Sequence, residues 1–398
     1  MQDRYQQEVI KPGDKASRLA REICFASHTN CAAVRVVPHQ PDNFRGPVGF
    51  VFQDHILDLI KDGDMLIETE NDGAGGKPQF FTLVGTSECF KGLGWEIITM
   101  CADDFARSGR FPAIMINNVD VKRITDKNFP LVEAMFTGYG EALAESNLVN
   151  ITGEIAVMKH SITAFCETDP ETQLILTWGG TCIGLSHRHL LLDGSRIVPK
   201  MDVVGLWEPG YRCNGGTFLT NITLLRYGPD IRDIMKNDGA MSFINKLTVP
   251  SRSYARAMCR ILGWNDDGSI RQPSLRIAGI AHITGGGVWG KFGELLPNGI
   301  GAHLNSMPLP AEVLWQAQDL SWGTEYQLSD WQAYGTLHGG CGMMVVVHPK
   351  DTKRLLDELG QQNITAYKVG VTTKSDKSEI IINSRFKQRK ILSSLNPE

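Results

Sequence analysis

A two-domain protein of mixed α and β structure is the fold class that this sequence predicts, and three observations predict it. The chain has 398 residues, beyond the usual range of a single domain. Short β-branched runs alternate with segments of helical periodicity from one end to the other. A polar stretch from Asp193 to Lys200 then divides the chain into an N-terminal domain at 1–192 and a C-terminal domain at 193–398.

Composition narrows the class. Apolar residues at 42% and charged residues at 21% allow a sizeable core. A net charge of −4 without a basic block gives no nucleic-acid or anionic-membrane partner. No run of about 18 apolar residues exists, and the start, Met1 to Glu8, is polar and lacks the apolar segment of a signal peptide. A cytoplasmic protein is therefore expected. Nine cysteines without a C-x-x-C pair have neither zinc nor disulfide spacing and read as reduced thiols.

Taken in order, Gly13 to Cys24 reads as a helix capped by Asp14, with Leu19, Ile23 and Cys24 on one face. Ala33–Val37, Val48–Phe52 and Met65–Glu68 follow as short strands bounded by Pro, Gly and Asp. Leu93, Ile97, Ile98, Cys101 and Phe105 predict a helix over 93–107 that carries Asp103 and Asp104. Neighbouring helix positions point about 100° apart, so both acids are solvated or one of them faces inward. A strand at Pro112–Val119, a helix at Phe129–Ser146, a strand at Val149–Met158 and two strands at Leu174–Trp178 and Thr181–Leu185 complete this half.

The second half opens with a strand, Met201–Trp207, and a Gly-rich turn, Gly210–Gly216. Gly228-Pro229 separates a helix at Thr217–Tyr227 from one at Asp230–Lys236. A further helix runs through Ser253–Cys259, and an apolar strand, Ser274–Ile283, empties into a triple-glycine loop. Strand Met343–His348, helix Pro349–Leu359 and strand Ala366–Val371 close the pattern, and the polar, basic tail from Thr373 is expected to be partly mobile.

Four stretches carry candidate chemistry. Asn71-Asp72-Gly73-Ala74-Gly75-Gly76-Lys77 is either a surface turn or a phosphate cradle, in which Asp72 holds Mg²⁺ and Lys77 offers a point charge. Glu154 follows a glycine inside an otherwise apolar strand, where a carboxylate has to be paired, neutralised or bound to metal. His282 at a strand end precedes Thr284-Gly285-Gly286-Gly287, whose N–H groups at a helix start suit an anion, so the ring is an acid, a base, a phosphate ligand or a satisfied core histidine. His187 and His189 alternate as on a strand, without a third metal ligand nearby.

The motifs at 71–77, 100–104, 152–158 and 281–287, taken together and in order, resemble the phosphoribosylformylglycinamidine cyclo-ligases, or aminoimidazole ribonucleotide (AIR) synthetases, over roughly residues 11 to 372. Ala281-His282-Ile283-Thr284-Gly285-Gly286-Gly287 matches the family's C-terminal string, and Asp72–Lys77 is similar to its D-G-x-G-x-K nucleotide loop. Met100-Cys101-Ala102-Asp103-Asp104 resembles Met-Cys-x-Asn-Asp, and Thr152–Met158 resembles its Gly-Gly-Glu-Thr-Ala-Glu-Met strand. The resemblance implies a PurM-like fold: an N-terminal α+β domain whose sheet pairs with a twofold mate into a barrel, hence a homodimer, and a C-terminal α/β domain. It implies ATP and Mg²⁺ as cofactors, with Asp72, Asp104 and Glu154 as metal ligands and Lys77 as a phosphate contact. Gly73, Gly75, Asn214, Gly285 and Gly286 join the expected nucleotide site, and His282 and Lys77 are the expected catalytic groups. The implied reaction is ATP-dependent closure of a small ribonucleotide, formylglycinamidine ribonucleotide, to the imidazole. The alternatives are an ATP-using relative acting on another small molecule and a non-catalytic paralogue acting as a binding subunit.

The chain departs from the family at the expected substrate cleft. The family's Gly-Leu-His-Ser-Asn-Gly turn reads Gly210-Tyr211-Arg212-Cys213-Asn214-Gly215, and the Asn before Asp104 is Asp103. Val157 replaces a glutamate, and Leu337-His338-Gly339-Gly340 replaces Phe-Asn-Met-Gly.

Overall fold

In the computed structural model of the protein, residues 10–38 and 48–397 are described; the polar start at Met1–Glu8 lies outside them. The amphipathic first segment forms helix α1 (Lys11–Ser27), followed by the antiparallel pair β1 (Val34–Pro38) and β2 (Val48–Phe52). Helix α2 (Asp54–Lys61) leads into β3 (Met65–Gly73), and α3 (Lys77–Val84), α4 (Ser87–Leu93) and α5 (Glu96–Ala106) follow. Next come β4 (Phe111–Val121), α6 (Phe129–Glu145), β5 (Val149–Val157) and β6 (Leu176–His187). These strands form a four-stranded sheet in the order β3-β6-β4-β5, with only β4 and β5 parallel.

Strand periodicity decides what each face of this sheet does. Asp72, Gly180, Asn117 and Gly153 are register partners, and this row points toward α5 and α6. The rows on either side of it, one with Asn71, Thr181 and Thr152 and the other with Gly179, Asn118 and Glu154, line a groove on the other face. The two strands expected at 174–178 and 181–185 are one strand of 12 residues. Gly179-Gly180 does not turn the chain there; a Cβ on Gly180 would sit 2.9 Å from Ile97 Cγ1, so the glycine makes room for α5.

The C-terminal half begins with β7 (Asp202–Trp207), then α7 (Gly216–Tyr227), α8 (Ile231–Ile234), α9 (Asp238–Leu247) and α10 (Ala255–Leu262). It continues with β8 (Ile277–His282), β9 (Ile300–Leu304), α11 (Glu312–Ser321), α12 (Asp330–Thr336), β10 (Cys341–Val347), α13 (Thr352–Gln361) and β11 (Ala366–Lys374). Two short strands, β12 (Ile380–Asn383) and β13 (Ile391–Ser393), complete a seven-stranded sheet ordered β13-β12-β9-β11-β7-β10-β8.

Helices α2, α3, α4 and α11 and strand β9 lie outside the elements that the sequence predicts, and three further features differ from it. Helix α9, capped by the Asn237 side chain, was not anticipated. The loop after His282 enters a five-residue π-type turn, Val288–Phe292, and a single α-turn, Gly293–Leu295, so no long helix dipole aims at it. The tail is not a loose end: β12 pairs in parallel with β9, and Ile380, Ile382, Phe386 and Leu392 are buried. A pattern too short for periodicity hid those strands.

The two halves share a core. Alternate residues of β7 and β10, among them Val204, Leu206, Met343 and Val345, join the apolar cluster of the four-stranded sheet, while Val203, Met344 and Val346 join the C-terminal cluster. Helix α10 packs on α5, and the Trp264 that follows it donates its indole N–H to the Gly109 carbonyl at 2.9 Å, its ring 5.4 Å from that of Phe111.

Candidate active site

Three separated stretches converge at the junction of the two sheets. Asp72 sits near the end of β3, and its Oδ1 accepts the Gly73 N–H at 2.7 Å. Gly75 adopts φ of +56°, a left-handed conformation suited to glycine, and packs so closely on the 210–216 turn that a Cβ would lie 2.8 Å from the Cys213 carbonyl oxygen. Asn214 from that turn reaches the 284–287 loop, its Oδ1 3.5 Å from where a Cβ on Gly285 would stand. The Asp72 loop, Asn214 and the triple-glycine loop are thereby neighbours.

Asp104 and His282 form the centre of this cluster. His282, buried at the end of β8, is 2.9 Å through Nδ1 from Asp104 Oδ1, which also accepts from Arg107 Nε at 3.0 Å. Burial pushes the Asp104 carboxyl up, but the hydrogen bond from His282 and the charges of Arg107 and Lys291 hold the group below its ordinary value. Asp72 behaves oppositely. Its own burial, with Asp104 and Glu70 nearby, raises its pKa against the pull of the Gly73 N–H. Two carboxylates with diverging proton affinities therefore share one partly exposed site.

Behind it lies a buried ionic cluster that the sequence reading missed. The Arg212 guanidinium, in a residue held at φ of +58°, contacts Glu208 Oε2, Asp103 Oδ2 at 3.0 Å, the Arg252 carbonyl at 3.1 Å and His282 Nε2 at 2.7 Å. Asp103 Oδ1 accepts the Tyr254 N–H at 2.8 Å, and the Tyr254 hydroxyl lies 3.2 Å from Glu208 Oε2. Of the two adjacent acids on α5, Asp103 is therefore the inward one, paired with arginine, and Asp104 is the one that borders the cleft. The signal lay in two departures that occur together: an acid where the resembled family has Asn, and an arginine where it has His, are direct partners.

Lys77 is also placed differently from expectation. Its ammonium is fully buried and donates to Glu96 Oε1 at 2.7 Å, the Val249 carbonyl at 2.9 Å and Ser251 Oγ at 3.2 Å. An ammonium has three hydrogens, so none is left to offer a phosphate in this arrangement. Lys77 caps the inside of the loop, not its ligand face. The acid or base role expected of His282 meets a similar obstacle, since both ring nitrogens are engaged.

Glu154 is not brought to Asp72 and Asp104; the register puts it on the opposite face of the sheet, beside Asn71 and Thr181. Among the described residues no three His, Cys, Asp or Glu side chains gather as a metal site. His187 and His189 have ring centroids 5.3 Å apart, and His187 Nδ1 accepts the His189 N–H. Gly75 and Gly285 both meet the 210–216 turn, and the N–H groups of Gly75, Gly76, Gly285 and Gly286 make no hydrogen bond within the described chain. Among the described residues no helix is long and apolar enough to cross a membrane.

Comparison with known proteins agrees with this architecture. Residues 270–383 match the family described as AIR synthase related protein, C-terminal domain. The phosphoribosylformylglycinamidine cyclo-ligase of Staphylococcus saprophyticus is 24% identical over 313 residues, 78% of this chain and 82% of that protein. The chloroplastic enzyme of that name from Arabidopsis thaliana is 24% identical over 77% of this chain and 71% of its own. Among solved structures, the E. coli hydrogenase maturation protein HypE superposes with a TM-score of 0.52 at 13% identity, covering 94% of this chain and 96% of that one. Thiamine-monophosphate kinase from Stenotrophomonas maltophilia gives 0.51 at 11% identity, over 89% and 99%. At such identity these two show the fold alone, a two-domain PurM-like α/β architecture. Residues 270–383 thus carry an AIR synthase related C-terminal region, and more than three quarters of the chain is similar to proteins named phosphoribosylformylglycinamidine cyclo-ligase.

Proposed function

We propose that the protein is an ATP-dependent cyclo-ligase of purine biosynthesis, closing formylglycinamidine ribonucleotide to aminoimidazole ribonucleotide through a phosphorylated amide. The observation that carries this reading is the meeting of Asp72, Asp104 and the His282–Gly286 segment at one site, in a chain aligned over 78% of its length with relatives of that name. The chemistry asks the protein for positioning and charge neutralisation more than for a nucleophile.

Asp72 and Asp104 supply hard oxygen donors of the kind Mg²⁺ takes, and their partial exposure suits an ion that keeps water and phosphate oxygens as further ligands. Bound there, Mg²⁺ neutralises phosphate charge. The unengaged N–H groups of the two glycine loops bind phosphoryl oxygens, and Arg107 and Lys291 add positive charge beside Asp104. Asn214, held against Gly285, orients the substrate side of the cleft.

One observation favours a second reading. Lys77 and Arg212, two cations of the motif regions, are buried and ion-paired, so less positive charge faces the ligand than the family motif implies. A PurM-like enzyme using ATP on another small molecule, or a paralogue that only binds, would tolerate that. Incubation with formylglycinamidine ribonucleotide, ATP and Mg²⁺, following imidazole formation, separates the readings. Turnover supports the cyclo-ligase; Mg·ATP binding by calorimetry without turnover supports another substrate; neither supports a binding subunit.

A homodimer and a cytoplasmic location belong to the same proposal. Strand β3 is an edge strand that exposes Leu66 and Ile67, at 58% and 50%, and such an edge invites pairing. All nine cysteines are free thiols, as a reducing compartment favours. Light scattering that returns the 44.0 kDa monomer at micromolar concentration would remove the dimer.

A further inference from the structure

The hydrogen bonds around His282 leave only one arrangement of its protons. A guanidinium carries five N–H donors and no acceptor. Arg212 Nη2 stands 2.7 Å from His282 Nε2, so Nε2 has to present a lone pair. Nδ1 stands 2.9 Å from Asp104 Oδ1, where a carboxylate accepts and the ring has to donate. Rotating the ring by half a turn would put C–H groups against both partners. An imidazolium would aim an N–H at a guanidinium N–H inside a site where neither side chain is exposed.

The effect passes on to Asp104. Its Oδ1 already accepts from Arg107 and His282, while Oδ2 has no hydrogen bond within the described chain. Arg212 is itself fixed from behind by Glu208, Asp103 and the Arg252 carbonyl. We propose that Arg212 is a positioning residue that fixes His282 as the neutral Nδ1–H tautomer and, through that ring, presents the Oδ2 oxygen of Asp104 to the ligand site.

Orientation of a carboxylate through an imidazole is the kind of outer contact that sets how well a site holds its ion. It also assigns a purpose to the paired departures at 103 and 212. Arg212 can only donate to Nε2, and Asp103 keeps that guanidinium neutralised and in place. The proton assignment stands on donor chemistry alone, whereas the consequence for ligand binding rests on the function proposed above.

Long-range proton–nitrogen correlation spectra of the full chain at neutral pH, with His282→Gln to assign the signals, test the assignment. A protonated, pyrrole-type Nδ1 and a bare, pyridine-type Nε2 are expected; the opposite tautomer, or two protonated nitrogens, would overturn it. Arg212→Met removes the donor and Arg212→Lys retains one. The Met variant should lose the bare, pyridine-type signature of Nε2 and lower Mg·ATP affinity roughly tenfold in calorimetry, with Lys restoring both. A folded Met variant that keeps both the wild-type nitrogen pattern and the wild-type affinity sinks the proposal. If the Met variant does not fold, the wild-type spectrum and the Lys variant decide: Lys losing the Nδ1–H pattern also counts against it. Absence of Mg·ATP binding in the wild type would speak against the proposed function while leaving the tautomer readout standing.

Discussion

Lys77 and Glu96 lie 2.7 Å apart with neither side chain exposed to solvent, so the lysine of the glycine-rich loop holds the protein together from inside. Ser251 completes the pair, donating its N–H to Oε1 at 2.9 Å and its hydroxyl to Oε2 at 2.6 Å. The first turn of α3 is thereby tied to α5 and to the segment that precedes α10.

Replacing Lys77 by Met should therefore act on stability before it acts on binding. Removing one partner of a buried ion pair strands the other charge and costs about 3–5 kcal/mol. Thermal melting should show a large drop, and Mg·ATP affinity per folded molecule should change little. Unchanged melting with lost affinity would return Lys77 to the ligand face.

Gly342→Ala should damage the ionic cluster from outside it. A Cβ there would sit 2.6 Å from Arg212 Nη1 and 2.8 Å from both Glu208 Oε2 and the Tyr254 hydroxyl, and none of these atoms can retreat without losing a buried partner. Overpacking of this kind costs about 1–3 kcal/mol. Urea unfolding of the variant, compared with Gly360→Ala, where a Cβ meets nothing within 4 Å, measures it; equal midpoints would contradict the packing.

His338 should make stability fall with acid well before the carboxylates titrate. Burial, against the help of its hydrogen bond to the Gly210 carbonyl, depresses this ring from 6.5 to about 3. The unfolded chain thus binds a proton that the native ring refuses, so this contribution is complete above 6.5 and declines below it. The slope approaches about 1.4 kcal/mol per pH unit. His338→Gln should flatten the decline between pH 6.5 and 5 in urea titrations, and an unaltered slope would refute the assignment.

Truncation after Ser375 should destabilise the protein, because it removes β12 and β13 and with them Ile380, Ile382, Phe386 and Leu392 from the core. Each fully buried apolar side chain of this kind contributes about 1.5–3 kcal/mol. Melting at the wild-type temperature would mean that the tail is dispensable after all.

Most helices and strands were legible because their hydrophobic periods run long enough to be read, as in α6 and β4. Strand β12, of four residues, offers too few positions to show a period, and its burial depends on β9 some 80 residues earlier. The site was legible as loops and not as side-chain directions. Glu154 shows why: a strand residue faces one side or the other by register, and the partner strand that fixes register cannot be inferred from the acid itself. The Asp103–Arg212 pair bridges 109 positions, so its two halves read separately as departures and become a single feature only in space.

Helix α10 and Trp264 carry an implication for the order in which the chain is made. The core beneath the four-stranded sheet takes in Tyr254, Met258, Ile261 and Trp264, and Cys259 Sγ reaches the Arg110 carbonyl at 3.4 Å. On the ribosome, the first half leaves the exit tunnel with an open apolar slot beside Phe111, which stays uncovered until residue 264 follows it out. The nascent chain has to hold that slot unsealed, or have a chaperone shield it, while some 150 residues are added.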